Sequence, residues 1–260
     1  MIRASVAYRR RETFSRKPNL KAIEEVVYTN KKQKLNDSIK KWPKYERPRE
    51  LLLDRGPDSV SDAGLIAVLL RSGTQGKDAV SLARELLNSF GGLRGLLSAK
   101  KSDLEKIKGL GRAKIAQLIA ALEIVKRQLK EEIIGRKYVQ NDKDVMDYLF
   151  VSMRDLKEEC FKVMYLNKAN IILFAEDIAK GTVDQAAIYP REIIKRAIDL
   201  SASAVIFVHN HPSGSLDPSQ FDLDITKKLV SACSSVDIAA LDHIIISPLG
   251  YLSLKSRGIM

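Results

Sequence analysis

The chain has little of what would tie it to a membrane or to an oxidising compartment. It holds no run of about 18 apolar residues, the length that a spanning helix needs, and no apolar signal-peptide core near its start. A cytoplasmic protein without a membrane partner is therefore expected. Cysteine is scarce: Cys160 and Cys233 are too few for a disulfide framework. Histidine is scarcer for its usual roles, with three in 260 residues, so any imidazole-based metal site must draw on His209, His211 and His243. Apolar residues are not lacking. At 45% of the composition they suffice for packed cores, and the length has material for about two domains.

Acidic residues are under-represented, and unevenly so. The net charge is +12, with 15 Lys and Arg against 6 Asp and Glu in residues 1–50, 14 against 8 in residues 51–130, and 15 against 18 in residues 131–260. The basic excess belongs to the first half, which fits either a polyanionic partner or a plain soluble basic surface. Residues 1–41 stand apart as a basic extension: Arg9, Arg10 and Arg11 run together, Lys31, Lys32 and Lys34 cluster, and helix is suggested only around Leu20 to Val27.

From residue 42 to 130, apolar residues at three-to-four spacing predict a helical domain. Its helices fall near 49–53, 61–70 (capped by Asp58 or Ser61), 79–90, 102–107 and 113–129. The stretch from Leu104 to Lys114 looks like a helix-hairpin-helix. Gly109 and Gly111 permit a tight turn whose backbone N–H groups could reach a phosphate, flanked by Lys108, Arg112 and Lys114. Such a turn would contact DNA without reading sequence; the alternative is a helical hairpin that only packs the bundle. The periodicity lapses over 131–142, where a domain boundary is expected.

Beyond it, the signals alternate. A helix over 145–153, a hairpin of 161–166 with 171–175, a helix over 191–200, a strand over 204–208, a helix over 219–233, a strand over 236–246 and a last strand near 251–254 give a mixed α/β domain over 138–260, its sheet flanked by helices. The strand Ala204 to Val208 ends in His209-Asn210-His211. Side chains two apart on an extended backbone point the same way, so the two imidazoles can converge. After a Pro- and Gly-punctuated loop, Ser219 opens a helix with Asp222 in its first turn. Two imidazoles and a carboxylate make the three-ligand set of a catalytic zinc site. Ser219-x-x-Asp222 equally fits a helix capping arrangement, in which the serine side chain caps the helix and the acid favours its positive end.

The pattern His-x-His, seven residues, Ser, two residues, Asp, filled by His209, His211, Ser219 and Asp222, resembles the JAMM (MPN-plus) metalloprotease signature. The strings HNHPSG, PSQFD and LDHIIIS, with GTVDQAAIYP, YPREIIKRAI and RPRELLLDRGPDSVSDAGLIAVLLRSGT upstream, are similar to the RadC family over about residues 42–260. The resemblance implies a JAMM/MPN-like, cytidine-deaminase-like α/β domain behind an all-α bundle, and one zinc ion per chain. It also implies a glutamate general acid/base just before the first strand, at Glu159, with Glu158 as its neighbour. Ser219 has two readings, helix cap or hydroxyl donor to a developing oxyanion. His243, among apolar neighbours, reads as a hydrogen-bonded structural histidine, and Cys160 as a buried thiol without a base.

Two function classes follow. One is a zinc metallopeptidase or isopeptidase acting on a peptide or protein substrate, with non-specific DNA contact through the basic half. The other is a DNA-binding protein of the repair and recombination class whose metal domain is structural or non-catalytic. The retention of every JAMM ligand favours the hydrolase.

Overall fold

A computed structural model describes residues 39–138, 143–181 and 188–260. The helix suggested near Leu20 to Val27 lies outside these residues. The chain divides into two compact units, one of residues up to Leu93 with Ile107–Gly111, the other of Arg94–Lys106 with Arg112–Met260.

The first unit is helical. Helix α1, Pro48–Arg55, opens on a proline, whose missing N–H costs nothing at a first helical position. Helix α2, Asp62–Leu70, is capped by Ser61, which accepts from the Gly64 N–H, while Asp58 sits in a preceding 3-10 turn. Helix α3, Ala79–Phe90, is capped by Asp78 in the same way and ends on Gly91 in the left-handed conformation. Ile66, Leu70, Leu82 and Leu86 are buried, as the apolar spacing requires. Gly109 belongs to this unit and has a packing reason: a Cβ there would stand 2.7 Å from Thr74, and its φ of +92° already disfavours any side chain.

The second unit begins within the short helix α4, Leu93–Leu97, which periodicity did not suggest, and continues with α5, Lys101–Leu104. Helix α6, Arg112–Ile133, is longer than expected by a turn, and its contacts group it with the sheet-bearing unit rather than with the helices before it. The contacts thus divide the chain ahead of the charged stretch at 131–142, because Leu129 and Ile133 join the core under the sheet. Helix α7 spans Lys143–Met153.

Strands β1 (Cys160–Leu166) and β2 (Ile172–Lys180) form the expected hairpin, with Asn170 at φ +59° in its turn. Helix α8, Pro190–Asp199, leads to β3, Ala204–Asn210; helix α9, Gln220–Ser234, crosses to β4, Ala239–Ser247, and β5 is Gly250–Ser253. The sheet order is β2-β1-β3-β4-β5, with β3 and β4 parallel and the other pairs antiparallel. Both faces are covered. Met164, Leu166, Ile206 and Val208 meet Val145 and Leu149 of α7 on one side; Val163, Tyr165, Val205 and Phe207 meet α8 and α9 on the other. That double coverage explains why β1 and β3 read as continuous apolar runs instead of alternating ones.

Candidate metal centre

The site lies where β3 ends and α9 begins, outside the carboxyl end of a strand in a parallel pair, a usual place for ligands in α/β sheets. His209 is inside β3 and His211 just past it, and both are buried. The loop that follows returns the chain to Ser219, whose side chain accepts from the Asp222 N–H at 3.1 Å. Asp222 Oδ2 in turn accepts from the Ser219 N–H and from its hydroxyl, each at 2.7 Å, completing a capping box. The cap and the ligand readings of Asp222 do not exclude each other. Oδ2 is engaged by the cap, and the same carboxylate faces both histidines.

Three side chains converge there. His209 Nε2 lies 2.9 Å from His211 Nε2 and 3.1 Å from Asp222 Oδ1, and His211 Nε2 lies 3.3 Å from Asp222 Oδ2. Ligands on a tetrahedral ion with bonds of about 2.0–2.2 Å stand roughly 3.3–3.6 Å apart, so a small outward movement would admit zinc. The donor set fits as well. His211 Nδ1 lies 3.1 Å from the Ser215 carbonyl, which can only accept, so this nitrogen carries the proton and Nε2 is left with its lone pair. Among the described residues, no fourth His, Cys, Asp or Glu joins the cluster.

The electrostatics favour a cation at this point. Burial pushes the Asp222 carboxyl up, but the adjacent imidazoles of His209 and His211 and the hydrogen bond from Ser219 outweigh it and hold the group well below the ordinary carboxylate range. The hydrogen bond to Asp222 raises His211 above the usual imidazole value against the cost of burial; the Ser215 carbonyl and the charge of Glu159 act in the same direction.

The glutamate pair before β1 splits in two directions. Glu158 is exposed and meets Lys100 at 3.0 Å, whereas Glu159 is half-buried and its charge acts on His211. Cys160 is buried, and burial pushes its thiol up to about 11, which removes it as a nucleophile. His243 is fully buried on β4, with Nε2 2.8 Å from His209 Nδ1 and Nδ1 2.6 Å from Thr226 Oγ1. Its contact with His209 was not expected from sequence, nor were Thr226 and Asn210 singled out. The i,i+4 spacing of Asp222 and Thr226 on one helix face was visible; the pairing of β3 with β4 was not.

The hairpin residues are distributed differently. Lys108 and Arg112 are exposed, Lys114 is half-buried, and Gly109 packs on Thr74. Among the described residues, nothing lies within 4 Å of where a Cβ on Gly111 would stand.

A mixed sheet with a His-x-His strand end and a capped aspartate opposite it defines a JAB/MPN-type domain, the class whose members commonly bind zinc and are often hydrolytic. Residues 139–259 match the RadC-like JAB domain, and residues 39–116 match the UPF0758 N-terminal domain. The chain belongs to the UPF0758 family of RadC-like proteins. It is 44% identical over 223 residues to a UPF0758 protein of Marinomonas sp. (strain MWYL1), a match covering 86% of this chain and 100% of the relative. A UPF0758 protein of Pseudomonas fluorescens (strain Pf0-1) is 46% identical with the same coverage of both chains, and one of Halorhodospira halophila is 43% identical, again with that coverage. No helix among the described residues is long and apolar enough to cross a membrane.

Proposed function

We propose that the second unit is a zinc-dependent hydrolase of the JAMM type that cleaves peptide or isopeptide bonds, with His209, His211 and Asp222 holding one zinc ion per chain. The observation that carries this reading is the convergence of two imidazole nitrogens and a carboxylate within 2.9–3.3 Å of one another in a buried site. Three protein ligands match a catalytic zinc site, where a structural one would close with a fourth. Bound zinc would supply an activated water and polarise the substrate carbonyl.

The chain's own residues supply the rest. Glu159 takes the proton from the attacking water and returns it to the leaving nitrogen, a transfer that needs a carboxylate close to the metal-facing histidines. Its electrostatic effect on His211 supports that assignment over Glu158, which is turned toward Lys100. Ser219, at the N-terminus of α9, turns its hydroxyl from Asp222 Oδ2 to the substrate oxygen as negative charge builds, a moment at which the helix end also favours an anion.

The test is metal analysis of the purified full chain followed by a peptide and isopeptide library. About one zinc per chain is expected, with hydrolysis lowered about 10²–10⁴-fold in Glu159→Gln while zinc is retained. Protein that binds no zinc, or a Glu159→Gln variant with undiminished hydrolysis, would overturn the reading.

A nucleic-acid role for the first half, of the repair and recombination class, rests on Gly111. Among the described residues nothing lies within 4 Å of where its Cβ would stand, unlike at Gly109, so the backbone there is open to a phosphate, and Lys108 nearby is exposed.

A further inference from the structure

His243 and Thr226 touch no candidate ligand position of the metal, yet they connect two of the ligands. The Thr226 hydroxyl lies 2.5 Å from the Asp222 backbone carbonyl, which can only accept, so its single proton is donated there. The hydroxyl oxygen, 2.6 Å from His243 Nδ1, must then accept, and Nδ1 carries a proton. His243 is fully buried, with its ring edge-on to Phe161 and Phe207, surroundings that disfavour a charged imidazolium. A neutral ring with its proton on Nδ1 has a bare Nε2. That nitrogen is 2.8 Å from His209 Nδ1, which must be the donor.

We infer that Thr226 and His243 are positioning residues that fix the tautomer of His209, keeping its proton on Nδ1 and its Nε2 lone pair turned toward His211 and Asp222. The inference rests on the metal reading only for its purpose, since the tautomer is a property of the metal-free chain. The relay runs from one ligand to the backbone of another, through β3, β4 and α9. It orients His209 from behind, as the outer hydrogen bonds of metal-bound imidazoles do.

Thr226, which is not itself a candidate ligand, thereby controls a proton on one. In Thr226→Val the shape is kept and the acceptor for His243 Nδ1 is lost. His243 then moves its proton to Nε2, where it donates to His209 Nδ1, and His209 carries its own proton on Nε2, in the ligand position. Thr226→Ser keeps the hydroxyl and the wild-type arrangement.

The experiment is long-range ¹H–¹⁵N NMR of the imidazoles in the metal-free full chain, paired with zinc affinity measured by competition with a chromophoric chelator. Wild type and Thr226→Ser are expected to show His209 protonated on Nδ1. Thr226→Val should show the Nε2-protonated form and bind zinc about 10–100-fold more weakly. His243→Leu, which removes the acceptor, should weaken zinc similarly, and His243→Gln, whose side-chain oxygen can accept from Nδ1, should recover part of the loss. An unchanged His209 tautomer in folded Thr226→Val, or zinc affinity within about twofold of wild type, would overturn the inference; loss of melting temperature alone would not support it. Failure of the wild type to bind zinc would instead count against the proposed function, and the NMR result would still decide the relay.

Discussion

Asn210 holds Cys160 by the backbone: its side-chain oxygen accepts the Cys160 N–H at 2.8 Å, while its amide nitrogen donates to the Glu158 carbonyl at 3.2 Å. The residue between the two clustered histidines thus grips the chain on both sides of Glu159. Replacing it with alanine leaves a buried N–H without its acceptor, which costs about 1–3 kcal/mol. Asn210→Ala should melt lower by that amount yet retain zinc, because neither His209 nor His211 loses a partner. Loss of zinc in the folded variant would contradict this separation.

Asp222→Asn should lose zinc affinity and keep the fold. The amide can still accept at the helix start, so the capping box weakens only in part, whereas the charge that a divalent ion draws on is gone. Ser219→Ala should do the reverse, lowering stability by about 0.5–2 kcal/mol with zinc stoichiometry maintained. Calorimetry and metal content measured on both variants would separate the two roles; zinc unchanged in Asp222→Asn would remove Asp222 from the ligand set.

Glu158→Gln should be silent in hydrolysis. Its carboxylate is 65% exposed and pairs with Lys100 on the surface, an interaction worth about 0–1 kcal/mol. Its contrast with Glu159→Gln in the same assay tests the assignment of the base, and a deficit confined to Glu158→Gln would transfer the role to that residue.

Zinc affinity should fall as the solution is made acidic. His211 has a raised pKa in the metal-free protein, so its proton stabilises that form fully below the unfolded imidazole value, a contribution lost as pH rises through the folded value. The same proton competes with zinc for Nε2. Each proton displaced adds a slope of about one log unit of affinity per pH unit, and the zinc-induced rise in melting temperature should shrink on acidification. Titrating affinity against pH checks this, and a pH-independent constant across the imidazole range would argue against His211 as a ligand.

The two hairpin glycines should part company. Gly109→Ala must place a Cβ 2.7 Å from Thr74 at a φ of +92°, and is expected to destabilise by about 1–3 kcal/mol. At Gly111 no described residue lies within 4 Å of where a Cβ would stand, so Gly111→Val should fold normally. If the turn holds phosphates, Gly111→Val weakens binding of the full chain to duplex DNA, and Lys108→Ala lowers the slope of log affinity against log salt by roughly one unit. Equal DNA binding by wild type and both variants would reduce the hairpin to a packing element.

Local signals determined much of this molecule. The apolar run from Ala204 to Val208 marks a strand, and the Ser219-x-x-Asp222 spacing marks the start of a helix. The His-x-His spacing puts two imidazoles on one side, because these features depend on backbone period and on neighbours within a turn. The register of the sheet is non-local, and only the tertiary structure decides it. The parallel pairing that aligns Phe207 with His243 brings an apparently structural histidine behind His209. The antiparallel pairing that aligns Phe161 with His209 carries Glu159 toward the site and gives Asn210 its grip on both sides of it. Packing likewise assigned α6 to the sheet-bearing unit, since Ile133 is buried against β-sheet and helix residues that lie far along the chain. Periodicity tells which face of an element is buried; it does not tell what lies against that face, which is settled by the pairing and burial of the whole fold.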